Sequence, residues 1–311
     1  MYKRQADGSK WNYSTYFGGS QDDSALAVAV DTQGNLIFAG QTWSVNFPAP
    51  GGIGVPSGYG KAFVVKFTPP IAPSINSVLN GASFQPGIEA GSWVMIQGSN
   101  LSNTTRPWAS SDFVGGNLPT SLDGVSATID GKPAFVSYIS PIQINVQAPS
   151  DSTVGTVNVV VSNNGALSAP APVQLQTAAP AFFQYPGTSF ALASRLPDYA
   201  LVADPSVVPG AAAVKPGDTV VLWGTGFGAT NPAAPAGTIV SGAPMAVTAP
   251  TVTVGGFAVP VIGTGLTAGS AGLYQVTIQL PANVPTGAVA VQASVGSAQT
   301  QPGVTLFVEK P

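Results

Sequence analysis

Apolar residues along this chain fall in short runs, many alternating with polar ones, and Gly or Pro cuts the runs every few positions. That rhythm predicts many short, half-buried strands. Two runs repeat each other. Gly91 to Leu101 reads GSWVMIQGSNL and Gly217 to Phe227 reads GDTVVLWGTGF, each an apolar strand opened by Gly and closed by a Gly-containing turn. Further on, Gln143 to Pro149 (QINVQAP) realigns with Gln275 to Pro281 (QVTIQLP), and Gly155, Val157 and Val159 recur as Gly287, Val289 and Val291, all displaced by 132 residues. Order and spacing repeat together, which predicts two copies of one immunoglobulin-like sandwich, 77–178 and 179–309. Trp93 and Trp223 stand two and six residues after their strand-start glycines; the even spacing puts both on one face, and core packing is expected for them.

The segment before these copies has its own pattern. Residues 11–68 read as strand, strand, turn, strand, loop, strand. Ala25 to Val30 has a composition a helix would tolerate, but the Asp31-Thr32-Gln33-Gly34-Asn35 turn joins it to Leu36 to Ala39 at hairpin spacing, so a strand is predicted. Four strands in about 55 residues match one propeller blade, and a lone blade cannot bury both faces, so this unit is expected to be the least stable. Residues 69–76 are Pro-rich and predict an extended linker. Residues 1–10 are expected to be a leader foreign to the fold, since Met1 to Ser20 lacks the apolar centre of a signal peptide.

Two resemblances follow from quoted residues. Tyr13 to Gly19, Asp22-Asp23, the Asp31 to Asn35 turn, Ala39 to Thr42, Asn46-Phe47-Pro48 and Phe63 to Phe67 resemble the bacterial SBBP-type β-propeller repeat. The repeated strands, with the hairpins Ile129 to Pro133 and Val254 to Ala258, resemble the IPT/TIG immunoglobulin-like fold. More closely, Asn80 to Ser83, Gly91 to Leu101, Leu118 to Val125, Tyr138 to Pro141, Gln143 to Asn145 and Gly272 to Val276 resemble an uncharacterised C-terminal domain family of Solibacter-type acidobacteria. That resemblance implies a place at the end of large secreted proteins, often after propeller repeats, and brings no activity with it.

Composition narrows the function. With only 7% charged residues the surface must be dressed by Ser, Thr, Asn and Gln, and a formal charge of −3 without a basic run excludes a phosphate-neutralising surface, so no nucleic-acid partner is expected. No stretch approaches the roughly 20 apolar residues of a membrane helix, so no membrane insertion is expected. Zero Cys removes disulfides and thiolate sites, and zero His removes the commonest general base and metal ligand. No cofactor and no catalytic residue is therefore expected.

The remaining candidates are few. Asp22, Asp23 and Asp31, with Asn35, form the sole acidic cluster and are weak Ca²⁺ candidates, although their spacing is not that of an EF-hand and turn support is the simpler role. Glu89, Asp112, Asp123, Asp130, Asp151, Asp198, Asp204 and Asp218 are scattered singly near predicted turns and suggest no carboxylate pair. Gly224 to Ala229 fits a loose dinucleotide fingerprint, but the Pro-rich stretch after it cannot propagate the required helix, so an exit turn is expected. Sugar-binding modules stack flat rings on pyranose faces, and among loop aromatics Trp108, Phe113, Tyr185 and Tyr199, Trp108 is the ligand candidate, because it lies in a loop insertion between Ser102 and Leu118 and is expected to be the best exposed. Asn12, Asn100 and Asn103 open glycosylation-type triplets that read as coincidence. The chain is thus read as all-β: a non-catalytic structural or adhesion module, extracellular or at the cell surface, whose partners are other domains of its parent protein, a surface protein or polysaccharide. A carbohydrate-binding accessory module of a degradative enzyme is the alternative.

Overall fold

Both repeated strands lie inside sheets and pair with the strand that the repeat assigns to them. In the computed structural model, which describes residues 2–4, 11–14, 16–32, 34–48, 60–68 and 71–309, Trp93–Ser99 pairs antiparallel with Gln143–Gln147, setting Trp93 against Gln147 and Gln97 against Gln143. Thr219–Thr225 pairs with Tyr274–Gln279 in the matching register, Thr219 against Gln279 and Trp223 against Gln275. The molecule divides into two compact units, Met1–Ile71 and Ala72–Pro311. Both copies therefore fall within the second unit.

In the first copy, one sheet runs Ser74–Asn80, Trp93–Ser99, Gln143–Gln147, Phe135–Ile139, Arg106–Pro107, and the other is built on Val125–Ile129, Gly155–Asn163 and Ala171–Gln176. Val94, Ile96, Ile144 and Val146 from the first sheet meet Val125, Ala127, Ile129, Val157, Val159 and Val161 from the second in one core. The second copy repeats this with Val220, Leu222, Val276 and Ile278 against Val252, Val254, Val289, Val291 and Ala293. Val157 and Val159 and their copies Val289 and Val291, matched by the 132-residue displacement, are buried in both, as strands of period two require. All-β architecture holds across the described residues.

Trp93 and Trp223 do share a face, but it is the outer one. The inward positions are the intervening Val94 and Ile96, and Val220 and Leu222, and both indoles are half-buried outside the two cores. Phase along a strand is set by which alternate set is uniformly aliphatic, and the opening glycine carries no such information.

In the first unit, Asp23–Val30, Leu36–Thr42 and Lys61–Phe67 form an antiparallel sheet, with Val30 opposite Leu36 across the predicted turn. Ala25 to Val30 is a strand. Phe17, Phe38, Phe47 and Phe63 pack on one side, with neighbouring ring centroids 4.6–6.0 Å apart. Leu26, Val28, Val30 and Val64 are exposed. Tyr2–Arg4, inside the segment expected to be a leader, pairs with Trp11–Ser14. Residues 5–10 of that segment, Gln33 of the turn, most of the Gly-rich loop (49–59) and Pro69-Pro70 of the linker lie outside the described residues.

Candidate functional site

Four residues, Thr177 to Pro180, connect Gln176 at the end of the first sandwich to Ala181 at the start of the second. So short a connection brings the ends of the two sandwiches together, and the joint is closed by side chains of one bonding to the backbone of the other. Asn80 donates Nδ2 to the Ala179 carbonyl at 2.8 Å. The Trp93 amide donates to Thr225 Oγ1 (3.0 Å), whose hydroxyl donates to the Gly272 carbonyl (3.0 Å). Trp93 Nε1 donates to the Ala271 carbonyl at 2.9 Å. Gln147 spans the joint with both ends of its amide, donating to the Gly91 carbonyl and accepting from the Gly237 amide, each at 2.9 Å.

The Gly-rich run of the second copy is explained by this crossing. Ala179 donates its amide to the Gly226 carbonyl at 3.0 Å, and a Cβ on Gly226, whose φ is +78°, would collide with the Ala179 carbonyl. Phe227 is fully buried beside it, and Thr230–Asn231 follows as a strand. The run is an exit turn against the linker and opens no helix.

Glu89 brings an acidic group to the linker side of the joint. It ends the strand Ile88–Glu89, which pairs parallel with Ala171–Gln176, and it is only 5% exposed. Its Oε2 accepts the amides of Gly228 (3.1 Å) and Ala179 (3.3 Å), and the Gly228 carbonyl in turn accepts the Tyr274 hydroxyl. Burial pushes the Glu89 carboxyl up to about 7, against the opposing pull of those two amides. Burial and the neighbouring Glu89 also hold the Tyr274 phenol well above its ordinary range. A cavity of about 430 Å³ opens beside them, lined in part by Glu89, Gln147, Asp151, Thr177 and Tyr274. Asp151 is held down to about 2, foremost by Lys132, whose Nζ lies 2.6 Å away.

On the outer face of the first sheet lies a second concavity of about 300 Å³, lined by Gly81, Trp93, Trp108, Ser137, Asn145 and Phe183. Trp108 meets Trp93 edge-on (centroids 5.8 Å, 74°) and Phe113 at a tilt (5.0 Å), and its amide donates to the Ser137 carbonyl at 2.8 Å. It is half-buried and packs against the first core, where the sequence suggested an exposed ring. Arg106 pins its loop: the guanidinium donates to Asp112 at 2.8 and 3.2 Å and to Asp123 at 2.9 and 3.0 Å. The same hydrogen bonds hold both carboxyls below the usual carboxylate range. Asn145 Oδ1 accepts Gln143 Nε2, leaving Nδ2 without a protein partner among the described residues. Rigid indoles, an amide and a hydroxyl with no charge between them suit a neutral polyhydroxylated ligand.

The other sequence candidates serve structure. Asp31 accepts the Asn35 amide (2.9 Å) and Nδ2 (2.8 Å) and pairs with Lys66 at 3.0 Å, so it supports its turn. Asp23 accepts the Gly19 amide and Ser44 hydroxyl, and the Asp22 carbonyl accepts the Trp43 amide. Among the described residues no three acidic, His or Cys side chains gather as a metal site. Tyr185 is buried and Tyr199 exposed, and neither lines the cleft. Of the scattered acids, the fold unites Asp112 with Asp123 through Arg106, and sets Glu89 and Asp151 on one cavity. Glu89 was missed as a joint residue. Its signal was slight: an acid between Ile88 and the glycine that opens the next strand.

Residues 73–185 match the IPT/TIG domain model. The matched segment takes in the first sandwich, the linker and the first strand of the second copy. No curated protein matches the chain. Among solved structures, the chain is similar to SGBP-B of the Bacteroides ovatus mixed-linkage glucan utilization locus, at 12% identity over 89% of this chain and 54% of that one, TM-score 0.32. It is also similar to the surface glycan-binding protein PbSGBP-B of Prevotella bryantii, at 13% identity over 74% and 41%, TM-score 0.23. A γ-CGTase from the alkalophilic Bacillus clarkii matches at 12% over 94% and 40%, TM-score 0.25. The chain spans from two fifths to just over half the length of these proteins.

Proposed function

We propose that this chain is a non-catalytic module that works outside the cell or at its surface, where two sandwiches locked end to end hold neighbouring domains apart and present a binding face. The observation that carries this reading is the joint. Hydrogen bonds of Trp93, Gln147 and Glu89, the last two buried, join backbone of the second sandwich, an arrangement that restrains bending between the two bodies. On the same reading, residues 11–68 are a single propeller-type repeat, supported by the exposed Leu26, Val28, Val30 and Val64. Small-angle scattering tests the spacer role. One maximum dimension should describe the Ala72–Pro311 body from low to high concentration, and a broad distribution collapsing to two independent sandwiches would oppose it.

A second reading is favoured by the aromatic cleft: the module holds polysaccharide. Trp93 and Trp108 are immobilised by neighbours, so stacking a sugar face on them costs little ordering. Affinity electrophoresis in gels containing neutral β-glucans, xylans or mannans tests it. Retardation lost in Trp108→Ala is expected, and unretarded migration in every gel leaves the spacer reading alone.

A further inference from the structure

The joint contains a group whose charge neither reading uses. Glu89 carries its charge into a place where only one of its oxygens is served, by the amides of Ala179 in the linker and Gly228 in the second sandwich, and no cation pairs with it among the described residues. An unpaired buried carboxylate is costly, and the cost vanishes when it takes up a proton or when the joint opens to water. We propose that the joint between the two sandwiches is a proton-operated latch, in which protonation of Glu89 tightens the docked arrangement and its ionisation loosens it.

The surroundings isolate this titration. The titratable groups lining the cavity are Glu89, Asp151 and Tyr274. Asp151 is ion-paired with Lys132 and stays ionised from pH 5 to 8, while the Tyr274 hydroxyl is donated to the Gly228 carbonyl and stays a phenol. Of these three groups Glu89 alone changes charge in that interval. Its carboxyl titrates near 7 in the joint against an ordinary 4.5 in water. A group raised in this way favours the docked state fully below the lower value and loses that contribution as pH climbs through the upper one. Between pH 5 and 8 the opening equilibrium should therefore rise on the order of a hundredfold, a tenfold change per unit of separation.

Residue-resolved amide hydrogen exchange on the full chain reads this directly. The amides of Ala179 and Gly228, which bond Glu89, and of Trp93, which bonds Thr225, report opening of the joint. Their protection factors, corrected for intrinsic exchange, should fall on the order of a hundredfold from pH 5 to 8. Core amides such as that of Val159 should not follow. In Glu89→Gln the three protections should be flat with pH, whereas Tyr274→Phe should keep the native slope. Flat native protection, or a native slope retained in Glu89→Gln, overturns the proposal. Should Glu89→Gln fail to fold, carboxyl-carbon NMR of the native chain decides: a Glu89 midpoint near 7 supports the latch, and one near 4.5 overturns it.

Discussion

Glu89 and Gly228 meet at 3.1 Å, carboxylate oxygen to amide, although 139 residues separate them along the chain. One belongs to the first sandwich and the other to the second, so the contact makes each sandwich a condition of the other's surface. The same holds for Trp93 and Thr225, separated by 132 residues and joined at 3.0 Å.

Thr225→Val keeps the shape of a fully buried side chain and removes a hydroxyl that accepts the Trp93 amide and donates to the Gly272 carbonyl. A half-buried amide and a buried carbonyl lose their partner at once. A stability loss of about 2–3 kcal/mol is expected by denaturant unfolding, with Thr225→Ser recovering most of it.

Gly237→Ala tests how tightly the second sandwich seats on the first. The residue has φ +81°, and an added Cβ would run into the Phe135 ring while its amide and carbonyl are held by Gln147 and Leu118. Strain and steric conflict act together, so a loss of about 1–3 kcal/mol is expected, visible as a lower Tm. Phe135→Leu should relieve the steric part and leave the backbone part.

Acid should weaken the fold through Asp151, with the opposite sign to Glu89. Lys132 holds the Asp151 carboxyl down to about 2, so its contribution is present above the ordinary carboxylate value of 3.8 and is lost as pH falls through 2. Unfolding free energy measured from pH 5 to 2 should fall less steeply in Asp151→Asn than in the native chain.

Arg106→Met should release the loop that carries Trp108, because Asp112 and Asp123 lose their shared guanidinium. Both carboxyls are expected to titrate at higher pH than in the native chain, read by carboxyl NMR. The fluorescence of Trp108 should shift to the red as the ring leaves its place between Trp93 and Phe113.

Much of the architecture was legible in the sequence. The aliphatic alternation of Val157 and Val159 with its copy at Val289 and Val291, the glycine-closed strands, and the Asp31 to Asn35 hairpin are local patterns, and period-two burial or turn chemistry converts each into structure without help from distant residues. The absence of His and Cys likewise narrowed the chemistry before any fold was known. The strand pattern put Trp93 and Trp223 in the cores and missed their outer face, because an indole tolerates a core or a half-buried outer face, and only the sheets opposite decide between them. Nor could it place Glu89 at a joint, unite Arg106 with Asp112 and Asp123, or bring Phe183 of the second sandwich to Trp93 and Trp108 of the first. Those relationships join residues far apart in the chain, and the burial that shifts a carboxyl or walls a cleft exists only once two separately closed cores have docked.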